Sequence, residues 1–362
     1  MRATQKLHDL GQSIWLDNIT RELLTSGKLR EYIRDLSVTG LTSNPTIFDN
    51  AIKAANSYDA AILEKVGGGI KGEQLFYELA LEDLTQAADL FRDVHEKTGG
   101  LDGFVSLELS PVLADDAAGS VQAAKELFAR AKRANLFIKI PGTSAGIKAI
   151  EETIFAGVPV NVTLLFSRAQ YLAAAEAYLR GIERRVAAGL DPRVASVASV
   201  FVSRWDVAVQ DKVPANLRNK LGLAVGLHTY QAYIELQNSA RWKKLADAGA
   251  LLQRLLWAST GTKDPQAKAT FYIEALAAPD TVNTMPEPTL LAFAEHGDVG
   301  GTLPKDGGDA KKLLAEFAQH GVNEDALAAD LQRAGAESFM KSWKSLLSQI
   351  ETKSAALAKK AS

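Results

Sequence analysis

Along the chain, short continuous apolar runs alternate with longer amphipathic segments. The runs are bounded by Gly, Pro, Asn or Ser and read as strands buried on both faces. They cover residues 12–18, 38–45, 103–111, 135–141, 158–166, 194–201, 251–258 and 280–285. Pro45 biases Asn44 towards extended backbone and marks the end of the second run. Between the runs, 20–36, 120–134, 143–156 and 167–188 have helical spacing, the last with Ser167 placed to cap it. Residues 51–97 are helical with a break at Gly67-Gly68-Gly69, and 205–248 is long enough for two or three helices. Eight strands, most followed by a helix, predict an α/β fold of the (β/α)8 TIM-barrel type. A doubly wound open sheet would need GxGxxG after its first strand, which is missing. The pattern predicts one domain over residues 1–362, in which about 289–362 form a C-terminal helical extension packed on the barrel.

Composition narrows the chemistry. The chain has 362 residues, 47% hydrophobic and 23% charged, with a formal charge of −2. That near-neutral balance offers no basic field for nucleic acid and no polybasic membrane anchor. Without cysteine, thiolate nucleophiles, disulfides and Cys-ligated metals are excluded. His8, His95, His228, His296 and His320 are scattered, with no ligand spacing, so no metal and no cofactor is expected. The triple glycine lacks the GK[ST] ending of a phosphate loop and reads as a turn. No signal peptide and no apolar run of about 18 residues is visible, which predicts a cytoplasmic protein.

One ammonium interrupts the fourth run, Asn135-Leu136-Phe137-Ile138-Lys139-Ile140-Pro141. Side chains alternate along a strand, so Phe137, Lys139 and Pro141 share one face. Apolar neighbours desolvate an ammonium, lower its pKa and favour a neutral amine able to attack a carbonyl. Taken alone, the plainer explanation is a lysine whose head reaches water past a strand end. The other strands decide between them. In a barrel of this kind the site lies at the C-terminal strand ends, where the eight runs place Asp17, Asn44, Glu108, Asn161, Thr163, Ser199, Arg204, Ser259 and Lys263.

These groups suit Schiff-base chemistry on a ketose. Lys139 adds to the carbonyl, and Asp17 takes the proton from the substrate hydroxyl as the carbon–carbon bond breaks. Glu108 supplies the acid for loss of water, through a water held by Thr163. Arg204, Ser259 and Lys263 form a cradle for a phosphate, and Asn44, Asn161 and Ser199 read hydroxyls. Two carboxylates near one lysine oppose its neutralisation, so either burial outweighs them or Glu108 is protonated.

The residues carrying this chemistry sit in segments that strongly resemble the transaldolase family: Trp15-Leu16-Asp17, Thr42-Ser43-Asn44-Pro45-Thr46, Val105-Ser106-Leu107-Glu108, Ile138-Lys139-Ile140-Pro141, Asn161-Val162-Thr163-Leu164-Leu165-Phe166-Ser167, Ser199-Val200-Phe201-Val202-Ser203-Arg204, Trp257-Ala258-Ser259-Thr260 and Asn283-Thr284-Met285-Pro286-Glu287. The likeness runs in order over roughly residues 12–300 and is greatest to the longer bacterial branch. That branch is related to the transaldolase half of fusions with glucose-6-phosphate isomerase, for which this sequence has no isomerase-sized segment. The resemblance implies a class I aldolase-like barrel that acts on sugar phosphates in the pentose phosphate pathway. It would move a dihydroxyacetone unit from sedoheptulose 7-phosphate to glyceraldehyde 3-phosphate, giving erythrose 4-phosphate and fructose 6-phosphate. By motif position, Lys139 is the Schiff-base residue, Asp17 the acid/base, and Glu108 with Thr163 the water relay. Asn44, Asn161, Ser199 and Phe201 line the dihydroxyacetone pocket, and Arg204 and Ser259 meet phosphate. The family's arginine two residues past Ser259 is Gly261 here, which leaves Lys263 as its replacement. Two alternatives stay open: an aldolase of the fructose-6-phosphate type, and a catalytically silent sugar-phosphate-binding barrel. Oligomeric state leaves no mark in the sequence.

Overall fold

The computed structural model describes residues 1–54 and 56–361; Ala55, inside the predicted stretch 51–97, and Ser362 lie outside the described residues. Eight parallel strands close in sequence order into a barrel. They are β1 (Ser13–Asp17), β2 (Val38–Thr42), β3 (Val105–Glu108), β4 (Leu136–Pro141), β5 (Val160–Leu165), β6 (Ser196–Phe201), β7 (Arg254–Ala258) and β8 (Val282–Met285). Each predicted run contains one of them, shortened at one or both ends.

Helix boundaries departed further from expectation. Residues 20–36 form two helices, Arg21–Thr25 and Lys28–Asp35, because Gly27 adopts a left-handed conformation (φ +81°) between them. After β2 a helix begins at once, Pro45–Ala54, where the sequence pattern places helix only from residue 51. Pro45 is suited to a first helical position, where no N–H is needed, and Asn44 Oδ1 accepts from Ile47 N at 3.1 Å. Ser167 caps Arg168–Ala187 as expected, accepting from Gln170 N. The triple glycine ends the helix Asp59–Gly67.

Two separate apolar cores result. One lies between the outward strand faces and the helices and contains Ile138, Ile140, Val160 and Val162. The other includes Trp15, Phe104, Phe137, Val197, Leu256 and Val282 in the lumen and extends to helical residues such as Trp205, Val225 and Phe317. Phe104 and Phe137 stack with ring centroids 4.0 Å apart, and Trp15 lies 6.1 Å from Phe137. Period-two alternation then puts Asp17 one layer above Trp15, and Lys139 one layer above Phe137. The site therefore stands on an aromatic floor.

The opposite mouth is sealed by charge. Arg254 is buried and donates to Ser13 Oγ at 2.6 Å and to Thr281 O at 2.8 Å. Its guanidinium lies 3.8 Å from Asp102, whose carboxylate also accepts from Ser13 Oγ and, at 2.8 Å, from Trp15 Nε1.

Beyond β8, the helix Glu287–His296 packs beside β1 and the first helix, Ala3–Asp9. Two more follow, Ala310–Gln319 against Leu221–Asn238, and the long Glu324–Ala361. The last runs back to the segment after β2, where Trp343 packs edge-on against Phe76 at 4.9 Å. Lys353 there donates to Ile52 O at 2.9 Å and pairs with Asp59. Among the described residues, no helix is long and apolar enough to cross a membrane.

Removing one partner of a buried ion pair leaves the other desolvated and uncompensated, at a cost of about 3–5 kcal/mol. Asp102→Ala is expected to lower stability by about that amount, read as a shift of the urea midpoint. A midpoint equal to that of the parent protein would show that Ser13 and Thr281 satisfy Arg254 alone.

Candidate active site

Strand register assembles the site. Glu108, Lys139 and Asn161 are lateral partners on β3, β4 and β5, and Asp17 pairs with Thr42 on β1 and β2. Since these strands all run the same way, the side chains emerge at one mouth. Asp17, Asn44, Lys139, Asn161, Thr163, Ser199, Phe201, Arg204, Ser259 and Lys263 all line one cavity of about 140 Å³. Glu108 reaches Lys139 from the neighbouring strand and lines a second cavity on its other side.

Lys139 is 6% exposed. Its Nζ lies 2.7 Å from Glu108 Oε2 and donates to Ser43 O at 3.0 Å. Burial pushes the Glu108 carboxyl above its ordinary range, Lys139 pulls it back, and the nearby Asp17 charge pushes it up again. Burial likewise raises Asp17, against Lys139, the Thr42 hydroxyl and the Lys263 ammonium. Both carboxyls are thus poised to carry a proton at higher pH than in water. Lys263, an exposed residue of the loop after β7, is close enough to act on Asp17.

The hydroxyl and amide groups are held in fixed orientations. Thr42 Oγ1 donates to Asp17 Oδ1 at 2.8 Å and lies 2.7 Å from Thr284 Oγ1. Asn161 is clamped from both sides: its Nδ2 donates to Ser106 Oγ at 3.1 Å, and its Oδ1 accepts from Ser199 Oγ at 2.7 Å. The buried Thr163 Oγ1 has no protein partner among the described residues.

Arg204 does not end a strand; it stands in the first turn of Ser203–Val209, with its guanidinium 5.1 Å from the Phe201 ring centre. No carboxylate among the described residues pairs with it, and burial lowers its pKa. Ser259 bonds Ser203 through the hydroxyls at 2.9 Å, its own backbone left-handed at φ +56°. An unpaired, partly desolvated guanidinium beside a hydroxyl and an ammonium is an arrangement suited to an oxyanion.

Thr42, Thr284 and Phe339 also line the cavity and lie outside the sequence-derived set. Thr42 and Thr284 could have been found, since each is a polar residue near a strand's C-terminal end. Phe339, in the last helix, carries no such signal. Its ring centre is 5.9 Å from Lys139 Nζ, although the two are far apart in sequence.

The raised carboxyl of Asp17 has a consequence for stability. Its native pKa exceeds the ordinary 3.8, so the native state holds the proton more tightly than the unfolded chain. Stability from this group is lost as pH climbs through that interval, and at neutral pH the carboxylate destabilises the fold. Asp17→Asn, which keeps an acceptor for Thr42, is expected to raise the urea midpoint at pH 7, with the gain gone below about pH 3.8. Finding no gain at pH 7 would mean that Lys139 fully offsets the burial.

Comparison with known proteins agrees with this geometry. Residues 14–350 match the family described as Transaldolase/Fructose-6-phosphate aldolase. A transaldolase of Arthrobacter sp. (strain FB24) is 43% identical over 357 residues, covering 96% of each chain. One from Thiobacillus denitrificans is 42% identical over 360 residues, 97% of this chain and 100% of its own. "Transaldolase 2" of Nostoc punctiforme is 39% identical, covering 96% of each. Matched along nearly its whole length, with a closed barrel and a buried lysine at its mouth, the chain belongs to the transaldolase/fructose-6-phosphate aldolase family.

Proposed function

We propose that this protein is a transaldolase that works through a Schiff base on Lys139. The observation that carries the reading is a buried amine 2.7 Å from Glu108, in a cavity shared with Asp17 and with Arg204, which no carboxylate pairs among the described residues. The substrates that fit are ketose and aldose phosphates of the pentose phosphate pathway. Sedoheptulose 7-phosphate donates a dihydroxyacetone unit to glyceraldehyde 3-phosphate, and the products are erythrose 4-phosphate and fructose 6-phosphate. A cytoplasmic setting goes with that chemistry.

The amine must attack as the neutral base, and Glu108, raised by burial, is placed to take its proton. The same carboxyl then returns a proton to the departing hydroxyl through a water on Thr163, whose hydroxyl lines the cavity. The resulting iminium draws electrons from the adjacent carbon–carbon bond. Asp17 accepts the hydroxyl proton as the aldose leaves, and later gives it back to the acceptor aldehyde. Asn44, Ser199 and the clamped Asn161 hold the hydroxyls of the three-carbon unit. Phe201 offers that unit an apolar wall without a hydroxyl of its own, which favours transfer over release. Arg204, Ser259 and Lys263 hold the phosphate, with Lys263 as a point charge in place of a bidentate fork. The barrel and its C-terminal extension work as one domain.

Borohydride added with fructose 6-phosphate is expected to trap a covalent adduct on Lys139, mapped by peptide mass, and Lys139→Ala should yield none. An adduct on any other lysine would overturn the assignment. Asp17→Ala should slow carbon–carbon cleavage by about 10²–10⁴-fold yet still permit trapping; loss of trapping contradicts its role as the base. Lys263→Ala should raise KM for phosphorylated substrates more than it lowers kcat. Equal falls in kcat and kcat/KM would count against a phosphate anchor.

A further inference from the structure

Among the described residues, the last helix, Glu324–Ala361, supplies the one wall of the site that comes from neither the barrel nor its loops. It meets the mouth with a single face. Gln332, Gly335 and Phe339 are spaced i, i+3 and i+7, so they share that face. Gln332 Nε2 donates to Gly142 O at 3.0 Å and to Leu164 O at 2.9 Å. These carbonyls lie at the ends of β4 and β5, the strands that carry Lys139 and Thr163. Gly335 lets the helix come close. A Cβ there would stand 2.8 Å from Leu164 Cδ2 and 3.1 Å from Arg204 Nη1.

Phe339 is held in place by this contact. It is 8% exposed and lines both cavities at the mouth. On one side lies the 140 Å³ cavity of Lys139 and Asp17. On the other is a space of about 480 Å³, mostly apolar, bounded by the loop after β3 and by the helix. Exposed Asp115, Glu337, Lys341 and Lys344 also line that space, so it is open to solvent. Glu108 borders it too, which puts the Lys139–Glu108 pair between two spaces, the smaller reaching solvent at Lys263 and the larger along the helix.

We infer that Phe339 is a specificity-determining residue, the partition that keeps the water of the larger space from the three-carbon unit on Lys139 until the acceptor aldehyde arrives. The inference rests on the transfer reading above. After the first aldose leaves, the fragment is an enamine on the lysine nitrogen. Release without an acceptor needs a proton from solvent on the enamine carbon, giving the iminium, and then addition of water to the iminium carbon. The C–N bond of that adduct breaks as its hydroxyl loses a proton, and dihydroxyacetone and the free amine result. One water is consumed. Each step draws on solvent, and the Phe339 ring stands where the solvent-open space would otherwise join the chamber.

The test measures dihydroxyacetone released per sedoheptulose 7-phosphate formed, with fructose 6-phosphate as donor and erythrose 4-phosphate as acceptor, in the full chain and its variants. Phe339→Ala is expected to raise the released fraction at least tenfold, and Phe339→Leu, which keeps an apolar wall, to restore a ratio near that of the parent. A merely structural loss would lower both fluxes together and leave the ratio alone. An unchanged ratio in Phe339→Ala, with transfer by the parent intact, overturns this inference only. Should that variant fail to fold, Phe339→Val opens part of the same gap, and an unchanged ratio there is equally fatal. A parent protein with no transfer at all removes the functional reading and this inference with it.

Discussion

The ion pair between Lys139 and Glu108 is the constraint around which the mouth of the barrel is arranged. Both side chains are almost wholly removed from water, with Nζ and Oε2 2.7 Å apart. Desolvating two such ions costs several kcal/mol each, and their attraction offsets this only when the geometry is held. Strand pairing holds it here, because Glu108 and Lys139 are register partners on β3 and β4. Below them the stacked Phe104 and Phe137 close the lumen. Little water is left there to share either charge.

The two ends of the barrel treat buried charge differently, and the difference separates structure from function. At the N-terminal mouth Arg254 is surrounded by Ser13, Thr281 and Asp102. At the C-terminal mouth Arg204 meets an aromatic face and a cavity, with no carboxylate partner among the described residues. A desolvated cation without an anion is costly, and an oxyanion in reach of it would offset that cost. The strained backbones of Leu164 (φ +58°) and Ser259 (φ +56°) lie at the same end, where local strain of about 1–3 kcal/mol per residue is characteristic of functional sites.

The C-terminal helix gives this end its lid. It is tied down at several places: Gln332 to the ends of β4 and β5, Ser342 to Thr46, Ser345 to Asp49, and Trp343 to Phe76. Such a helix cannot swing freely without breaking contacts along much of its length. The wall it forms over Lys139 is therefore part of the resting site.

By itself the sequence determined the barrel and most of the site. Eight apolar runs, most of them ending in a polar residue, leave few other folds, since strands buried on both faces need helices around them. Their position at the strand ends then gathered Asp17, Glu108, Lys139 and Asn161 at one mouth, and strand register brought Glu108, Lys139 and Asn161 side by side. Helix starts were less legible, because Pro45 serves equally to end a strand or open a helix, and only the cap made by Asn44 decides. Tertiary structure alone decided which cations are paired, that Arg204 has no carboxylate partner among the described residues, and that Phe339 stands over Lys139. Those outcomes depend on which segments, distant along the chain, come to rest together, and local periodicity carries no record of distance through space.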